Sequence, residues 1–223
     1  MSAMDAAVAD SPVIVDAPGS PAPASDRGGR SLSGEKAQRI IDAMRRSVAQ
    51  RGTAGSTFDL VSREAGVSRG LLHYYFGTKE QLLAEAVRRD CDLRLERLEQ
   101  QLSTAKTADD FINLMAKQLR ATVTEDPEFV TLVFELFTLS RRNADIAVEY
   151  EGLMRTTREH VAGMLAAAQS EGVVRLHAEP EAVAEVLFSL GDGLALRMLS
   201  EPERDFAATI HAGIACARML LTD

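Results

Sequence analysis

Apolar residues recur along this chain at the three- and four-residue spacing of an α-helix, and no segment shows the strict alternation of a strand. Capping residues, glycines and prolines divide the pattern into about nine segments with short loops, which predicts an all-α protein. Residues 1–30 stand apart, because they are rich in alanine, proline, glycine, serine and aspartate and have no helical period. They offer too little large apolar surface to offset the entropy of ordering the chain, so we expect a disordered tail.

Residues 57–83 read as two short helices joined by a tight turn and followed by the start of a third. Gly66 ends the first helix, because glycine readily takes the positive φ with which a chain leaves a helix and turns sharply. Ser68 offers a hydroxyl that caps the second helix, in which Leu72 should point inward. Three side chains should point outward: Arg69, His73 and Tyr74. This arrangement is typical of a helix-turn-helix that reads the DNA major groove.

One helix is predicted on either side of this motif. The helix before it is capped by Ser33 and stops at Gly52. The helix after it starts with a predicted capping box, Thr78 with Gln81, and continues to about Leu102. That second helix is long enough to leave the motif and enter the rest of the chain.

The distribution of charge supports a nucleic-acid partner, although the total charge does not. The chain carries −8 overall, which by itself disfavours binding to the DNA polyanion. Residues 31–79, however, contain eight basic and four acidic side chains, a net charge of +4, which leaves −12 for the remainder. We therefore predict a DNA-binding domain over residues 31–79 and a separate helical domain over residues 80–223. Arg27 and Arg30 leave open a second role for the tail, as an arm that touches DNA.

The cysteines and the apolar segments indicate the cellular compartment in which the protein is expected. Cys91 and Cys216 lie far apart in helical patterns, so we expect two free, buried thiols in a reducing cytoplasm rather than a disulfide. Residues 6–15 lean towards apolar but contain acids and lack a basic leader, so no secretory signal is expected. No run approaches the roughly 18 apolar residues of a membrane span.

The last two predicted helices, which start near Pro180 and Pro202, have more apolar surface than one core can cover. The final helix carries apolar or small residues on two opposite sides. One stripe is Phe206, Ile210, Gly213 and Ala217, and the other is Ala208, Ala212, Ala215 and Met219. The helix before it tolerates Gly191 and Gly193 in its interior, each at about 1 kcal/mol relative to alanine, which close approach of a second backbone would justify. We expect these helices to pair with their copies in a second subunit, with a tightly packed monomer core as the alternative.

Residues 38–83 resemble the DNA-binding domain of the TetR (tetracycline-repressor-like) family of bacterial transcription regulators. The resemblance is carried by REAGVS, an HYYF-type segment and a TKEQLL helix start, and over the body it is architectural. It implies three DNA-binding helices, a fourth that links them to an all-helical effector domain, and a dimer formed by the last two helices.

The resemblance also implies DNA contacts by particular residues. They are Thr57, Ser68, Arg69, Gly70, His73, Tyr74 and Lys79. Thr57 and Lys79 match residues that contact phosphate. Ser68, Arg69 and Gly70, at the start of the recognition helix, match base-reading positions. His73 and Tyr74 match an aromatic pair that touches both phosphate and base edges. These side chains suit those tasks, because arginine donates to paired acceptors on guanine and tyrosine and lysine donate to phosphate. Ser62 and Leu71 depart from the family pattern, and Leu71 leaves the operator sequence open.

A small-molecule effector is a further implied partner, because proteins of this family enclose an apolar cavity in the body. Candidates for its wall are Phe111, Met115, Phe134, Phe137, Tyr150, Met154 and Thr157. Candidates for polar groups that orient the ligand are Asn113, Gln118, Thr157 and Asp192. By number alone, apolar residues of this kind are more often core than pocket.

No catalytic, cofactor or metal signature was found in the chain. His160, His177 and His211 have no metal-ligand spacing with the cysteines, and the Gly-Asp-Gly at 191–193 lacks the setting of a phosphate loop. We therefore predict no enzymatic activity, no metal and no cofactor.

Taken together, the sequence predicts a cytoplasmic homodimeric transcription regulator that responds to a ligand and binds a pseudo-palindromic operator, with repression favoured over activation. The alternative is a carrier that sequesters a hydrophobic small molecule and retains a vestigial DNA module. The effector, the operator and the regulated genes are not encoded in any pattern that we recognise.

Overall fold

The computed structural model of the protein describes residues 34–222. The predicted tail over residues 1–30 and the predicted cap Ser33 lie outside this range. Within residues 34–222 the chain forms nine α-helices and no strand, which confirms the all-α prediction. The helices are α1 (Gly34–Gly55), α2 (Phe58–Ala65), α3 (Arg69–Phe76), α4 (Lys79–Leu102), α5 (Ala108–Glu125), α6 (Pro127–Ser140), α7 (Ala144–Ser170), α8 (Pro180–Ser200) and α9 (Ala207–Leu221).

Most helices begin at a residue whose side chain caps the helix by a local hydrogen bond, and such capping residues are recognisable in the sequence. Thr57, Ser68, Thr78 and Asn143 each accept a backbone N–H of the first turn of their helix. The predicted capping box at Thr78 is only half present, because no reciprocal bond from the Gln81 side chain is formed. A complete box occurs instead at the start of α5, between Thr107 and Asp110.

Two helix ends depart from the predictions. α1 loses regular helical geometry at Gly52, as expected, but helical turns resume after this kink and continue to Gly55. The last helix begins at Ala207 rather than near Pro202. There the Asp205 side chain accepts the Ala207 N–H at 2.8 Å, and the Arg204 guanidinium lies over the Phe206 ring, so these residues form a compact turn.

The described helices pack as one compact unit in which α1 contacts α2, α4 and α6. The apolar face of α1 is almost fully buried, through Ala37, Ile40, Ile41, Met44 and Val48. The main core of the body is formed by residues of α4, α5, α7, α8 and α9. α4 takes part in both regions, because it contacts α1 and also contributes Leu95 and Leu102 to the body core.

The two thiols differ in environment. Cys91 is buried on α4, and burial together with the neighbouring carboxylate of Asp90 raises the pKa of its thiol to about 12. Cys216 is exposed on α9, which corrects the expectation that both are buried. Its helix covers the core with only one face, and Cys216 lies outside that face.

Candidate nucleic-acid interface and internal pocket

The turn between α2 and α3 has the geometry that a helix-turn-helix needs. Gly66 adopts φ 66° and ψ 40°, and the N–H of Val67 donates to the Ser62 carbonyl at 2.9 Å, which closes α2. The Ser68 hydroxyl then accepts the Leu71 N–H at 3.3 Å and starts α3. Leu72 is fully buried, as predicted, and anchors α3 on the helices behind it.

The outer face of α3 is open to solvent. Arg69, Gly70, His73 and Tyr74 are all exposed, and Tyr74 retains 75% of its accessible surface. The Tyr74 ring meets the Tyr75 ring edge-on, with centroids 5.1 Å apart, and the rest of its surface faces solvent. The orientation of α3 predicted from the sequence is therefore confirmed, whereas the DNA contacts of its side chains stay predictions.

Arg69 contacts two other polar side chains of the same surface. Its Nη1 group lies 3.2 Å from both oxygens of the Asp59 carboxylate on α2. Its Nε–H donates to Nε2 of His73 at 3.3 Å. The contact with Asp59 was not predicted from the sequence, because a contact between two helices has no local signature.

The remaining candidates for DNA contact already have roles in the fold. The Thr57 and Ser68 hydroxyls cap α2 and α3, although both residues are exposed. Lys79 donates from Nζ to the Thr53 carbonyl at 2.7 Å and is half-buried, so it holds the end of α1 against the start of α4. The Thr53 hydroxyl in turn donates to the Glu135 carboxylate of α6 at 2.6 Å. This row of contacts is one of two polar connections between α1 and α6.

The second connection is a cluster of four charged side chains, which we call the junction cluster. Arg45 of α1 donates to both oxygens of Asp126, the N-cap of α6, at 2.8 and 2.7 Å. Its other nitrogens lie 3.2 and 3.3 Å from the oxygens of Asp90 on α4. Arg94, one turn further along α4, also donates to Asp126 and places its guanidinium 4.0 Å from the centre of the Phe129 ring.

Burial shapes the protonation of the junction cluster. Removal from water raises the pKa of Asp90, and the nearby guanidinium groups of Arg45 and Arg94 only partly oppose that rise. Burial also lowers the pKa of Arg94, despite Asp126 beside it. This cluster was not predicted from the sequence. The available signal was Arg45, a charged residue between apolar positions on the buried side of the first helix.

The body encloses a partly open pocket of about 250 Å³ between α4, α5, α7, α8 and α9. Its wall is mostly apolar, with residues such as Met115, Leu187 and Phe188. Four polar residues also line it: Gln118, Arg120, Thr122 and Asp192. A largely apolar cavity with a few polar groups is the usual form of a small-molecule site.

Of the residues predicted for a pocket wall, the structure brings Met115, Gln118 and Asp192 to this one. The others lie elsewhere. Phe111 is buried in the body core, and Phe134 packs on a smaller cluster around Val123. Phe137 is 46% exposed, and its ring is tilted against that of Tyr150 with centroids 5.8 Å apart. Two further residues on α7, Met154 and Thr157, are half-buried outside the wall, and Asn113 is exposed.

Most of the pocket wall contributed by α8 and α9 was not predicted from the sequence. Leu187, Leu190 and Leu194 of α8 and Ile210 and Ile214 of α9 line the pocket. These apolar stripes were assigned to helix pairing, because periodicity shows that a face is apolar without showing what it covers.

Asp192 lies at this pocket in apolar surroundings, although it keeps access to solvent. Within residues 34–222 its carboxylate forms no ion pair. Its partial withdrawal from water raises its pKa, and the Glu185 carboxylate raises it further. The pKa of Tyr150 is also raised, first by burial and then by the Asp192 carboxylate.

The outer faces of α8 and α9 form an exposed stripe of apolar and small residues. On α9 the predicted first stripe packs inward, whereas Ala208, Ala212, Ala215 and Met219 are exposed, Met219 at 76%. On α8 Val186 and Leu196 are exposed. The two apolar sides of α9 inferred from sequence are therefore real, and one of them is uncovered in the single chain.

No helix between residues 34 and 222 is both long and apolar enough to cross a membrane. The same range contains no group of three or more histidine, cysteine, aspartate or glutamate side chains arranged to hold a metal ion.

Two family models match this chain. The model for bacterial regulatory proteins of the tetR family matches residues 40–86, which span the helix-turn-helix. The model for the C-terminal part of BetI-type transcriptional repressors matches residues 108–218. The two matches together cover most of the helical part of the chain.

Two named relatives match different shares of this chain. The HTH-type transcriptional regulator BetI of Agrobacterium fabrum is 45% identical over 49 residues, which is 22% of this chain and 24% of BetI. The chain therefore spans about a quarter of the length of this relative. The HTH-type transcriptional regulator PksA of Bacillus subtilis is 23% identical over 171 residues, 76% of this chain and 82% of PksA.

Solved structures share the fold over nearly their whole length. FadR of Bacillus subtilis, crystallised with stearoyl-CoA, superposes with a TM-score of 0.68 at 18% identity and covers 81% of this chain and 96% of its own. A regulator from Saccharomonospora viridis in complex with choline gives 0.68 at 22% identity, with 86% and 100% covered. A TetR-family regulator from Rhodococcus sp. gives 0.69 at 22% identity, with 84% and 99% covered. From the two family models and this shared fold, the chain belongs to the TetR family of bacterial transcription regulators.

Proposed function

We propose that this protein is a homodimeric, ligand-responsive repressor that binds a pseudo-palindromic DNA operator. The observation that carries the proposal is the open face of α3, where Arg69, Gly70, His73 and Tyr74 are exposed on a helix anchored by buried Leu72. Donors for base edges and phosphates are thus presented by a helix held in place on its other side. In this proposal residues 31–79 contact DNA, and the remainder binds the effector and the second subunit.

A second subunit would cover the exposed stripe on α8 and α9. Small residues at Ala208, Ala212 and Ala215 allow two helices to approach closely, and Met219 and Leu196 would gain apolar contacts. A two-fold axis through this stripe would present two copies of α3 to successive major grooves. Their spacing would then need to be about one helical turn of DNA, roughly 34 to 36 Å.

The effector in this proposal occupies the pocket of about 250 Å³. Structures of this fold hold ligands as unlike as stearoyl-CoA and choline, so the fold alone does not determine the effector. The pocket itself favours a small, mostly apolar molecule with polar groups that can meet Gln118, Arg120, Thr122 or Asp192.

The junction cluster supplies a route from the pocket to the DNA-binding helices. Thr122 lines the pocket and accepts a hydrogen bond from Arg94 at 3.1 Å. Arg94 donates to Asp126, which also accepts from Arg45 of α1. An effector that moves α5 would therefore alter the contacts that seat α1. It would lower DNA affinity only as far as it prefers the altered arrangement, since differential affinity alone shifts the equilibrium.

The test uses the full chain and duplex DNA from upstream of its own coding region. We expect a protected site whose affinity falls steeply as salt concentration rises, because bound cations are released from the phosphates. Arg69→Ala and Tyr74→Ala should abolish the protection. Lys117→Ala, which removes one positive charge from the exposed side of α5, should leave it unchanged. An unprotected fragment, or an affinity independent of salt, would refute the proposal.

The largely apolar pocket keeps the carrier function as a second candidate. Native mass spectrometry of the purified protein separates the two. A dimer with a copurified small molecule and no protected DNA site would favour the carrier. A protected site that is lost in Arg69→Ala, with the dimer mass retained, favours the repressor.

A further inference from the structure

Arg69, in the first turn of α3, is held on two sides by its own chain. Its Nη1 group lies 3.2 Å from both carboxylate oxygens of Asp59, in the first turn of α2. Its Nε–H donates to Nε2 of His73 at 3.3 Å, one turn further along α3. Both ends of the ion pair stay open to solvent, with 59% of the Arg69 side chain and 57% of the Asp59 side chain exposed. The guanidinium is therefore oriented and still accessible to a partner.

His73 is oriented in turn. Because its Nε2 accepts the hydrogen bond from Arg69, the proton of the neutral ring is on Nδ1, which lies 3.4 Å from the Gly77 carbonyl oxygen. The ring also packs edge-on against Phe58, a buried residue of α2, with centroids 4.7 Å apart. The side chain that supports Arg69 is thus fixed by both helices of the motif.

Asp59 is an unexpected residue for a surface that faces a polyanion, because its charge opposes binding to every DNA sequence. An acid in the first turn of a helix interacts favourably with the helix dipole, which explains why aspartate is tolerated there. The dipole does not explain the contact with Arg69, and the N-cap of α2 is already supplied by Thr57. The other acid of α2, Glu64, pairs instead with Arg46 of α1 at 2.7 Å.

We propose that Asp59 and His73 form a clamp that sets the direction of the Arg69 guanidinium, which makes Asp59 a positioning residue for base readout. The clamp uses the Nε and Nη1 groups of Arg69, and Nη2 makes no hydrogen bond within residues 34–222. Nη2 is left to donate to the acceptors on the major-groove edge of a base. Asp59 thereby increases discrimination between sequences while it weakens binding to all of them. This inference rests on the proposed DNA-binding function.

The experiment selects bound duplexes from a randomised DNA pool with the full-length protein. Arg69→Lys first identifies the base positions read by this side chain, because lysine keeps the charge and loses the fork of donors. Asp59→Asn should relax the base preference at those same positions and leave the others unchanged. We expect the ratio of selected to random affinity to fall by about fivefold, the lower end of the range for a bidentate arginine–base pair, because Nη2 alone makes the contact. In the Arg69→Lys background the same change should have no further effect on base preference.

Glu64→Gln is the matched control, because it removes one negative charge from α2 without touching Arg69. It should strengthen binding to random DNA, as Asp59→Asn should, while it preserves the selected sequence. Thermal unfolding of each variant checks that the fold is retained. An Asp59→Asn variant that strengthens binding to all sequences and keeps the wild-type preference would overturn the clamp and leave the repressor proposal intact. A wild-type protein that enriches no sequence would overturn both.

Discussion

Asp192 illustrates how a single side chain can be at odds with its surroundings. It lines a mostly apolar pocket, and its pKa is raised by partial burial and by another carboxylate, Glu185. The folded protein therefore holds the proton of Asp192 more tightly than the unfolded chain does. Ionised Asp192 lowers stability at any pH above its folded pKa, and this penalty disappears as the pH falls towards the unfolded value of about 3.9.

Asp192→Asn should therefore raise the melting temperature at pH 7 to 8. The gap between variant and wild type should narrow as the pH is lowered, because wild-type Asp192 then becomes protonated and neutral like the amide. Thermal unfolding followed by circular dichroism between pH 4 and pH 8 measures this. Glu151→Gln, at an exposed position on α7, controls for the change in net charge. A gap that widens at low pH would contradict the prediction.

Gly66 and Gly70 of the helix-turn-helix differ in backbone conformation, so the same substitution should change stability in opposite directions. Gly66 has φ +66°, whereas Gly70 lies inside α3, and neither would bring an added Cβ within 4 Å of another atom. Gly66→Ala should lower stability by about 1 kcal/mol, because alanine resists positive φ. Gly70→Ala should raise it by up to about 1 kcal/mol, because alanine favours helix. Chemical denaturation measures both, and changes of the same sign would be inconsistent with this geometry.

Among the helices, α1, α4 and α6 are joined by polar contacts as well as by apolar packing. The junction cluster lies where these helices meet, and its side chains are mostly removed from solvent, with 19% of Arg45 and 7% of Asp90 exposed. Charges in such surroundings interact strongly, and removal of one partner leaves the others uncompensated. The seating of α1 on the body should therefore depend on this cluster.

Arg45→Ala should lower the free energy of unfolding by about 3 kcal/mol, the lower end of the range for breaking a buried charge pair. Arg88→Ala is a matched control, because Arg88 also pairs with two carboxylates, Glu85 and Asp92, but on the exposed side of α4. It should cost less than about 1 kcal/mol. Urea denaturation of both variants tests the difference, and equal losses would show that the junction cluster is no more important than a surface pair.

At the scale of the whole molecule, the proposed function makes DNA binding depend on dimerisation. The exposed stripe on α8 and α9 would form the dimer, and the dimer would present two copies of α3 to DNA. One copy of α3 reads half of an operator, and the second copy comes only with the second subunit. In this proposal, binding to DNA should therefore fail when the stripe is disrupted, even though the stripe is not part of the proposed DNA-binding surface.

Met219→Asp should convert the protein to a monomer and remove most of its affinity for a full operator, because it places a charge in the centre of an apolar interface. Val148→Asp is the matched control, since Val148 on α7 is 70% exposed and Met219 is 76% exposed. It should leave both mass and affinity unchanged. Sedimentation equilibrium and DNA titration measure the two properties, and a dimeric Met219→Asp variant would place the interface elsewhere.

Local features of this protein could be predicted from the sequence because they depend on neighbouring residues. Ser68 caps α3 and Gly66 turns the chain after α2 through hydrogen bonds that span a few residues. The inward position of Leu72 and the outward position of Tyr74 follow from a helical period that is visible in the sequence. The division into an all-α protein with a DNA-facing end rests on these short-range relations.

Contacts between distant helices were determined only by the tertiary structure. A helical period shows that Phe111 and Phe137 lie on apolar faces, but it does not say that one is buried and the other half exposed. No local sequence pattern predicts the hydrogen bond between Arg45 and Asp126, which lie 81 residues apart. The wall of the pocket and the junction cluster depend on which helix faces meet, and that is decided by packing of the whole chain.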